Sequence, residues 1–462
     1  MRNVHDTVLT CVGDTPLVRF QRLTAALSIR VYAKLEMRNP GGSLKDRVAL
    51  SILDEAERRG DLDPGGTIVE ASDGQSSLGL AMAAAIKGYR CTVVVPDHVP
   101  VAERAALQAV GAKVVVAPTQ VEPDDARSHY RVAQRLAAET SHAYYANQHH
   151  NPANPNGHYR VTGPELEAQL DDPIDIFIAG LGTGGAITGI GRYLKEQNPD
   201  VQVIGVDPVG SVYFDLFKTG QITTAFRHTV AGIGKDFLPS TLDFSVVDDV
   251  VRVSDAEAFH VARRLAREEG WLVGGASGAA VAGALRWLRT HDRPEATAVV
   301  LLPDSGHPFL DTIHNDAWLA DRGLSTAPRD LGTVADLIGS HPRQPITIPD
   351  TTVAIDAIGL LKAHGISQVP VLRQGRVVGV LHERTLLEAA LDPATPPARA
   401  GELATQDFCV VDRDTAIGVL SDLFRNVRLA LVMDGDELQT VLSRIDLIDH
   451  VARFSGESHA GS

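Results

Sequence analysis

Long apolar runs are missing from this sequence. No stretch approaches the roughly 20 consecutive apolar residues that a membrane-spanning helix needs, so no transmembrane span is expected. Cysteine is nearly absent. Cys11, Cys91 and Cys409 are odd in number and far apart, which fits neither a disulfide framework nor a zinc site. Small buried or surface thiols are expected instead, and no metal. Positive charge is in deficit, with 43 Lys and Arg against 58 Asp and Glu, a net charge of -15. Such a chain lacks the basic surface that nucleic-acid phosphates or anionic membranes require, so neither is expected as a partner and small-molecule chemistry is the better class. The first residues, Met1-Arg2-Asn3-Val4-His5-Asp6, lack the apolar stretch of a secretory signal, which makes the cytoplasm the default location.

What is present is the composition of an ordinary globular protein, 44% hydrophobic and 22% charged. At 462 residues the chain exceeds what one core usually organises, so two or more domains are expected. From Val31 to Leu302, short β-branched runs alternate with Ala-rich amphipathic stretches, the pattern of a doubly wound parallel α/β fold. Thr92–Val95 and Lys113–Val116 read as strands, joined by a helix over Val101–Val110 that Gly111 ends. Further strands are expected at Ile174–Ala179, Gln202–Val206 and Ala298–Leu302, and helices at Ala256–Glu269 and Gly278–Thr290.

Glycine and proline interrupt the pattern between Ala317 and Pro349, which places a linker there. An internal repeat follows. Val369–Leu387 matches Ala430–Ile448 at a shift of roughly 61 residues, and each copy is preceded by a helical stretch, Val353–His364 or Thr415–Arg425. Asp392–Ala400, rich in alanine and proline, reads as the connector between copies.

Four segments of the first part carry chemistry. Asn39-Pro40-Gly41-Gly42-Ser43-Leu44-Lys45-Asp46-Arg47 is a glycine-rich turn running directly into the amphipathic stretch Val48–Arg59. Lys45 thus stands at a helix start, where the positive end of the dipole favours the neutral amine that forms an imine with an aldehyde; read alone, it is equally a solvated lysine in a turn. Gly182-Thr183-Gly184-Gly185-Ala186 lies between a strand and a helix, where backbone N–H groups can converge on a phosphate or simply make a tight turn. Asn147–Pro155 by itself is a turn-rich connector. Gly232-Ile233-Gly234-Lys235-Asp236 is a further glycine-rich stretch.

Taken together and in their order along the chain, with Gly13-Asp14-Thr15-Pro16-Leu17-Val18 at the front, these segments resemble the pyridoxal-phosphate enzymes of the cystathionine β-synthase and cysteine synthase family. The resemblance covers roughly residues 5–320, and the repeat resembles a tandem CBS-repeat module that extends it to about 455. It implies an α/β fold of fold-type II, tryptophan-synthase-β-like with two doubly wound subdomains, over residues 1–325. A linker at 326–345 and an α+β module would follow, with CBS repeats at 346–391 and 401–455 and a tail at 456–462. It also implies a homodimer or higher homo-oligomer.

The resemblance further implies pyridoxal 5'-phosphate as cofactor, with Lys45 as Schiff-base lysine and base. Gly182, Thr183, Gly184, Gly185 and Ala186 would hold its phosphate, Gln75 its phenolic oxygen, and Ala276 and Ser277 would face its ring nitrogen. An amino-acid substrate would meet Ser72, Asp73, Gly74, Ser76, Gln148, Gly232 and Asp236, with Gln148 on its carboxylate. The expected reaction is β-replacement on serine or an activated serine with a thiol. Cysteine synthase-like or eliminating chemistry on an unusual amino acid is an alternative, and so is a non-catalytic, cofactor-binding nucleotide sensor.

Departures from the family pattern bear on the mechanism. The family's Thr-Ser-Gly-Asn-Thr-Gly loop reads Ser72-Asp73-Gly74-Gln75-Ser76-Ser77 here. Asp73 would repel a substrate carboxylate within ~4 Å by about 1 kcal/mol even in water. Ala276 stands where the family has the serine that meets the ring nitrogen, and Ala186 where a hydroxyl residue is common. In the module, repeat two keeps the Ser/Thr-x-x-Asp adenosyl signature as Ser443-Arg444-Ile445-Asp446, whereas repeat one reads His382-Glu383-Arg384-Thr385 without the aspartate. One site for S-adenosylmethionine, AMP or ATP is therefore expected, at Ser443 and Asp446; a dimer interface is the plainer role for such repeats.

Overall fold

The computed structural model describes residues 4–72, 77–119, 121, 125–324, 330–339, 343–391 and 398–457. It forms two compact units. One takes Met1–Pro208, Thr229–Gly234 and Leu238–Ala327, the other Val209–His228, Lys235–Phe237 and Pro328–Ser462.

In the first unit the β-branched runs become ten strands: β1 (Leu17–Arg19), β2 (Arg30–Leu35), β3 (Thr67–Ala71), β4 (Arg90–Pro96), β5 (Lys113–Ala117), β6 (Ala143–Tyr145), β7 (Ile176–Gly180), β8 (Gln202–Pro208), β9 (Asp249–Val253) and β10 (Thr297–Leu302). They make a four-stranded sheet in the order β5-β4-β3-β6 and a six-stranded sheet in the order β1-β2-β10-β7-β8-β9. Every pairing is parallel except that of β1 with β2. Strands β3 and β10 are buried at every residue, as parallel strands covered by helices on both faces must be. The expected doubly wound α/β architecture is thus present twice.

Expected and observed helices agree closely, and the offsets have physical causes. The helix expected from Ala256 starts at Asp255 because Ser254 and Glu257 form a capping box. The helix expected from Gly278 starts at Gly275, because the Asp304 carboxylate accepts from the Ala276 and Ser277 N–H groups and so caps the extra turn from outside the helix. Local sequence gives no sign of that cap.

The helix Lys45–Arg59 ends on Gly60, whose φ of +75° suits glycine, and buries Val48, Ile52, Leu53 and Ala56 on one face. Its first turn is pinned by a buried ionic lattice. Arg47 donates to Glu36 through Nε (2.7 Å) and Nη2 (2.9 Å), and to Glu165 through Nη1 and Nη2 (both 2.8 Å). Lys34 also pairs with Glu165, and it donates to the Thr15 carbonyl (2.7 Å) and Gln169 Oε1 (2.8 Å).

The second unit carries the repeat. Strands β11 (Ile348–Pro349), β12 (Gln368–Arg373) and β13 (Arg376–His382) form one three-stranded sheet, and β14 (Cys409–Val411), β15 (Leu429–Asp434) and β16 (Glu437–Ser443) the other. In each, a parallel pair is followed by an antiparallel one, and the bulge between Val371 and Leu372 recurs between Val432 and Met433. The sequence similarity is therefore a repeat of backbone pairing. Part of the expected linker is structured: Thr333 and Asp336 cap a short helix, Val334–Ile338, and Val334 is buried in the core of the second repeat with Ile417 and Leu420. Residues 209–228, which the sequence reading counts with the catalytic part, also contribute here, since Asp215 accepts from the Val410 N–H of β14 at 2.9 Å.

Glu165 provides the test of the ionic lattice. Burial pushes its carboxyl up, but Arg47 and Lys34 prevail and hold it at about 2, below its ordinary 4.5. Its contribution is therefore present above pH 4.5 and is lost as the pH falls toward 2. Glu165→Gln, which leaves two buried cations short of a partner, should cost about 3–5 kcal/mol in denaturant unfolding near neutral pH, and should remove most of the acid-induced loss seen in the parent. A change below about 1 kcal/mol would place the pair with weakly contributing surface bridges.

Candidate active site

Lys45 is held from three sides. The Leu44 N–H donates to the Pro303 carbonyl (2.9 Å) and the Ser305 N–H to the Gly42 carbonyl (3.1 Å), so the glycine turn is tied to the chain leaving β10. The next residue, Asp46, is buried and accepts from the Gly41 N–H. Its carboxyl is pushed up to about 6 by burial, and a Cβ on Gly41 or Gly79 would run into it. From this seat Lys45 Nζ donates to Gln148 Oε1 at 2.9 Å. The Gln148 backbone is itself placed, because its N–H donates to the buried Glu70 on β3 at 3.2 Å.

The cavity that Lys45 lines is also lined by Gly182, Thr183, Gly184 and Ala186, in the loop at the N-terminus of the helix Gly185–Gln197. Three of its glycines are forced by close approach. A Cβ on Gly182 would lie 2.5 Å from the Gly232 carbonyl, one on Gly184 2.3 Å from Leu242, and one on Gly185 2.0 Å from Asn154 Oδ1. Gly184 also has φ +82°. Asn154 Nδ2 donates both to the Gln148 carbonyl (2.9 Å) and to Thr183 Oγ1 (3.0 Å), and Thr241 Oγ1 donates to the carbonyls of His149 and Thr183. The glutamine loop and the glycine loop are therefore one hydrogen-bonded body, with helix N–H groups exposed to an anion. An aldehyde carrying a phosphate fits this arrangement, its carbonyl carbon at Lys45 and its phosphate on the glycine loop.

The lining also includes Ala276, Leu301, Pro303, Asp304 and Phe309. Asp304 is buried, and its Oδ1 accepts from Ser277 Oγ at 2.6 Å and from the Ser277 N–H at 2.9 Å. Burial pushes its carboxyl up to about 6.

Of the residues expected from sequence, Lys45, Gly182, Thr183, Gly184, Ala186, Gly232 and Ala276 line this one cavity, and Gln148 reaches it through Lys45. Gly185 opens the helix behind the loop. Ser277 is fully buried with its hydroxyl committed to Asp304. Ser72 is buried at the end of β3, its N–H on the Val94 carbonyl. Asp236 is exposed and is not among the lining residues. Asp73, Gly74, Gln75 and Ser76 lie outside the described residues. Sequence reasoning missed Asp304 and Glu103, which also line the cavity. Asp304 follows the C-terminal end of the buried strand β10, where open α/β sheets bind ligands; Glu103 has no such signal, being one more polar residue on an amphipathic helix.

A family model described as pyridoxal-phosphate dependent enzyme matches residues 8–304, and one described as CBS domain matches residues 334–392. A cystathionine beta-synthase of Dictyostelium discoideum is 34% identical over 97% of this chain and 93% of its own length. One from Saccharomyces cerevisiae is 32% identical, over 96% and 97%. Among solved structures, O-ureido-L-serine synthase superimposes with a TM-score of 0.63 at 36% identity, covering 69% of this chain and 99% of its own.

Lys45→Ala is expected to abolish the visible absorption of covalently held pyridoxal phosphate while leaving far-ultraviolet circular dichroism unchanged. Lys34, the nearest lysine in sequence, is fully buried among Thr15, Glu165 and Gln169 and cannot take over. A full covalent band in the variant would remove Lys45 from its role.

Proposed function

The chain belongs to the pyridoxal-phosphate dependent enzymes, in the family of the cystathionine beta-synthases, and from that premise we propose that it replaces the β-substituent of serine or an activated serine with a thiol. The observation that carries this reading is Lys45 Nζ on Gln148 Oε1 at 2.9 Å, in a cavity also lined by a glycine loop at a helix N-terminus.

When bound, the cofactor withdraws electrons from the α-carbon of the amino acid. The protein's own residues do the rest. Lys45, released when the substrate amine takes its place, is the base that removes the α-proton and later returns one. Gln148 steadies the lysine amine through Oε1 and leaves the amide nitrogen to donate to the substrate carboxylate. Asn154 and Thr241 keep the glutamine and glycine loops in one register, so a substrate held by one is aligned with a phosphate held by the other.

A second reading, replacement with a non-thiol nucleophile, is favoured by the match to O-ureido-L-serine synthase together with the altered stretch Ser72–Ser77. Assays of the purified holoenzyme with serine, O-acetylserine and O-phosphoserine, each with homocysteine, sulfide or hydroxyurea, separate the two. A thioether or thiol product is expected; exclusive use of the oxygen nucleophile would replace the first reading with the second. Absence of turnover with any pair would leave the non-catalytic sensor.

For the module, the reading is one adenosyl-ligand site per chain, in repeat two. The Ser443 N–H and Oγ both donate to Asp446 Oδ2, at 2.8 and 2.7 Å, at the start of the helix Arg444–Glu457. This supports a hydroxyl and a carboxylate side by side, one for a phosphate or ribose contact and one for ribose hydroxyls. The same reading takes the protein as a homo-oligomer, supported by exposed Ile355, Leu387, Leu391, Ile445 and Ile448 on the repeat helices. Among the described residues no helix is long and apolar enough to cross a membrane.

Calorimetric titration with S-adenosylmethionine, AMP and ATP should give heat for at least one ligand, weakened at least tenfold by Asp446→Ala. Undiminished binding in the variant would move the site elsewhere.

A further inference from the structure

Among the described residues, a carboxylate at the wall of the cavity has no cation bonded to it. The hydrogen-bond donors to the Asp304 carboxylate are Ser277 Oγ (2.6 Å), the Ser277 N–H (2.9 Å) and the Ala276 N–H (3.3 Å), all of them neutral. The residue is 6% exposed, and the side chains around it on the cavity wall, Ala276, Leu301, Pro303 and Phe309, are apolar. A carboxylate so placed pays for its lost hydration unless it is protonated or meets a cation. The site is nonetheless built to hold it. A Cβ on Gly274 would lie 2.1 Å from Asp304 Oδ2, so that glycine is what lets the carboxylate occupy its place.

The cofactor brings such a cation. Its ring nitrogen is the polar atom para to the carbon that Lys45 holds, whereas the phosphate arm and the phenolic oxygen flank that carbon. With the aldehyde carbon at Lys45 and the phosphate on the Gly182–Ala186 loop, the ring nitrogen would lie away from both; the cavity residue that stands where the family pattern has a serine for that nitrogen is Ala276, whose N–H donates to Asp304 Oδ2 at 3.3 Å. The neighbouring hydroxyl, on Ser277, is already committed to Asp304. Asp304 also lines the cavity, and among the described residues it is the side-chain acceptor bonded to Ala276.

We propose that Asp304 meets the pyridine nitrogen of the cofactor and holds it protonated, forming a carboxylate–pyridinium pair at the position that a neutral hydroxyl on residue 276 would otherwise serve. The inference rests on the reading of this cavity as the cofactor's seat. Among the described residues, the other ionisable side chains lining the cavity are Lys45, which holds the aldehyde carbon, and Glu103. Burial raises the Asp304 carboxyl to about 6 before any ligand is present, and a cation beside it would draw it back down, so each partner stabilises the charge of the other. A protonated ring withdraws electrons from the substrate's α-carbon more strongly than a neutral one, and so lightens the work of Lys45 as base.

The test is the nitrogen resonance of the holoenzyme reconstituted with ring-15N pyridoxal phosphate. Near neutral pH the bound label is expected at the upfield position of a pyridinium. In Asp304→Asn, which retains a capping acceptor for the helix Gly275–Thr290, it should move downfield to the position of an unprotonated pyridine. A bound label in the parent at the unprotonated position would overturn the proposal, as would an unmoved pyridinium signal in folded Asp304→Asn. Should that variant fail to fold, the parent resonance decides by itself. Absence of any bound label would instead overturn the cofactor seat, and the proposal with it.

Discussion

The buried guanidinium of Arg47 is the constraint from which the site follows. It lies two residues beyond Lys45 and is clamped between Glu36, at the end of β2, and Glu165, in a helix of distant sequence. A lysine on a glycine-rich turn would otherwise sample many directions, and ordering one long side chain costs up to about 2 kcal/mol. Here the turn is fixed by the lattice and by hydrogen bonds to the chain leaving β10, and from it the amine reaches Gln148. Such a lattice is weak evidence for stability as such. Its role here is registry, tying the start of one helix to β2 and to residue 165 at once.

Close packing extends that registry across the cavity. Gly182, Gly184 and Gly185 each face an atom nearer than any Cβ would tolerate, and the atoms come from three separate segments, at Gly232, Leu242 and Asn154. The anion site is thus defined by what presses on it from outside. Asn154 and Thr241 then make the glycine and glutamine loops a single body. Lys45, the glycine loop and the glutamine loop are far apart in sequence, and each alone has an ordinary explanation as a turn. Only their convergence makes them a site.

The carboxylates divide into two kinds by the company they keep. Glu165 sits between two cations and is held ionised far below the usual range, whereas Asp46 and Asp304 are buried beside neutral donors and are pushed up to about 6. The first kind holds structure. In the second, Asp46 faces inward onto Gly41 and Gly79, while Asp304 lines the cavity. Burial without a counter-ion is a matter of tertiary placement, and nothing in Pro303-Asp304-Ser305 distinguishes it from a solvated turn.

By itself the sequence determined what depends on neighbours along the chain. The parallel α/β pattern, the repeat and the lysine after a glycine-rich turn at a helix start are all periodicities or short motifs, and each is seen in the fold. The start of the helix at Gly275, the packing of Val334 and of residues 209–228 into the second unit, and the commitment of Ser277 to Asp304 were decided only by tertiary structure. The reason is common to all three. A cap supplied by residue 304, a core position filled from outside the repeat and a hydroxyl consumed by a distant carboxylate are long-range contacts, and a one-dimensional pattern records only the residue types, without the partner that gives each its role.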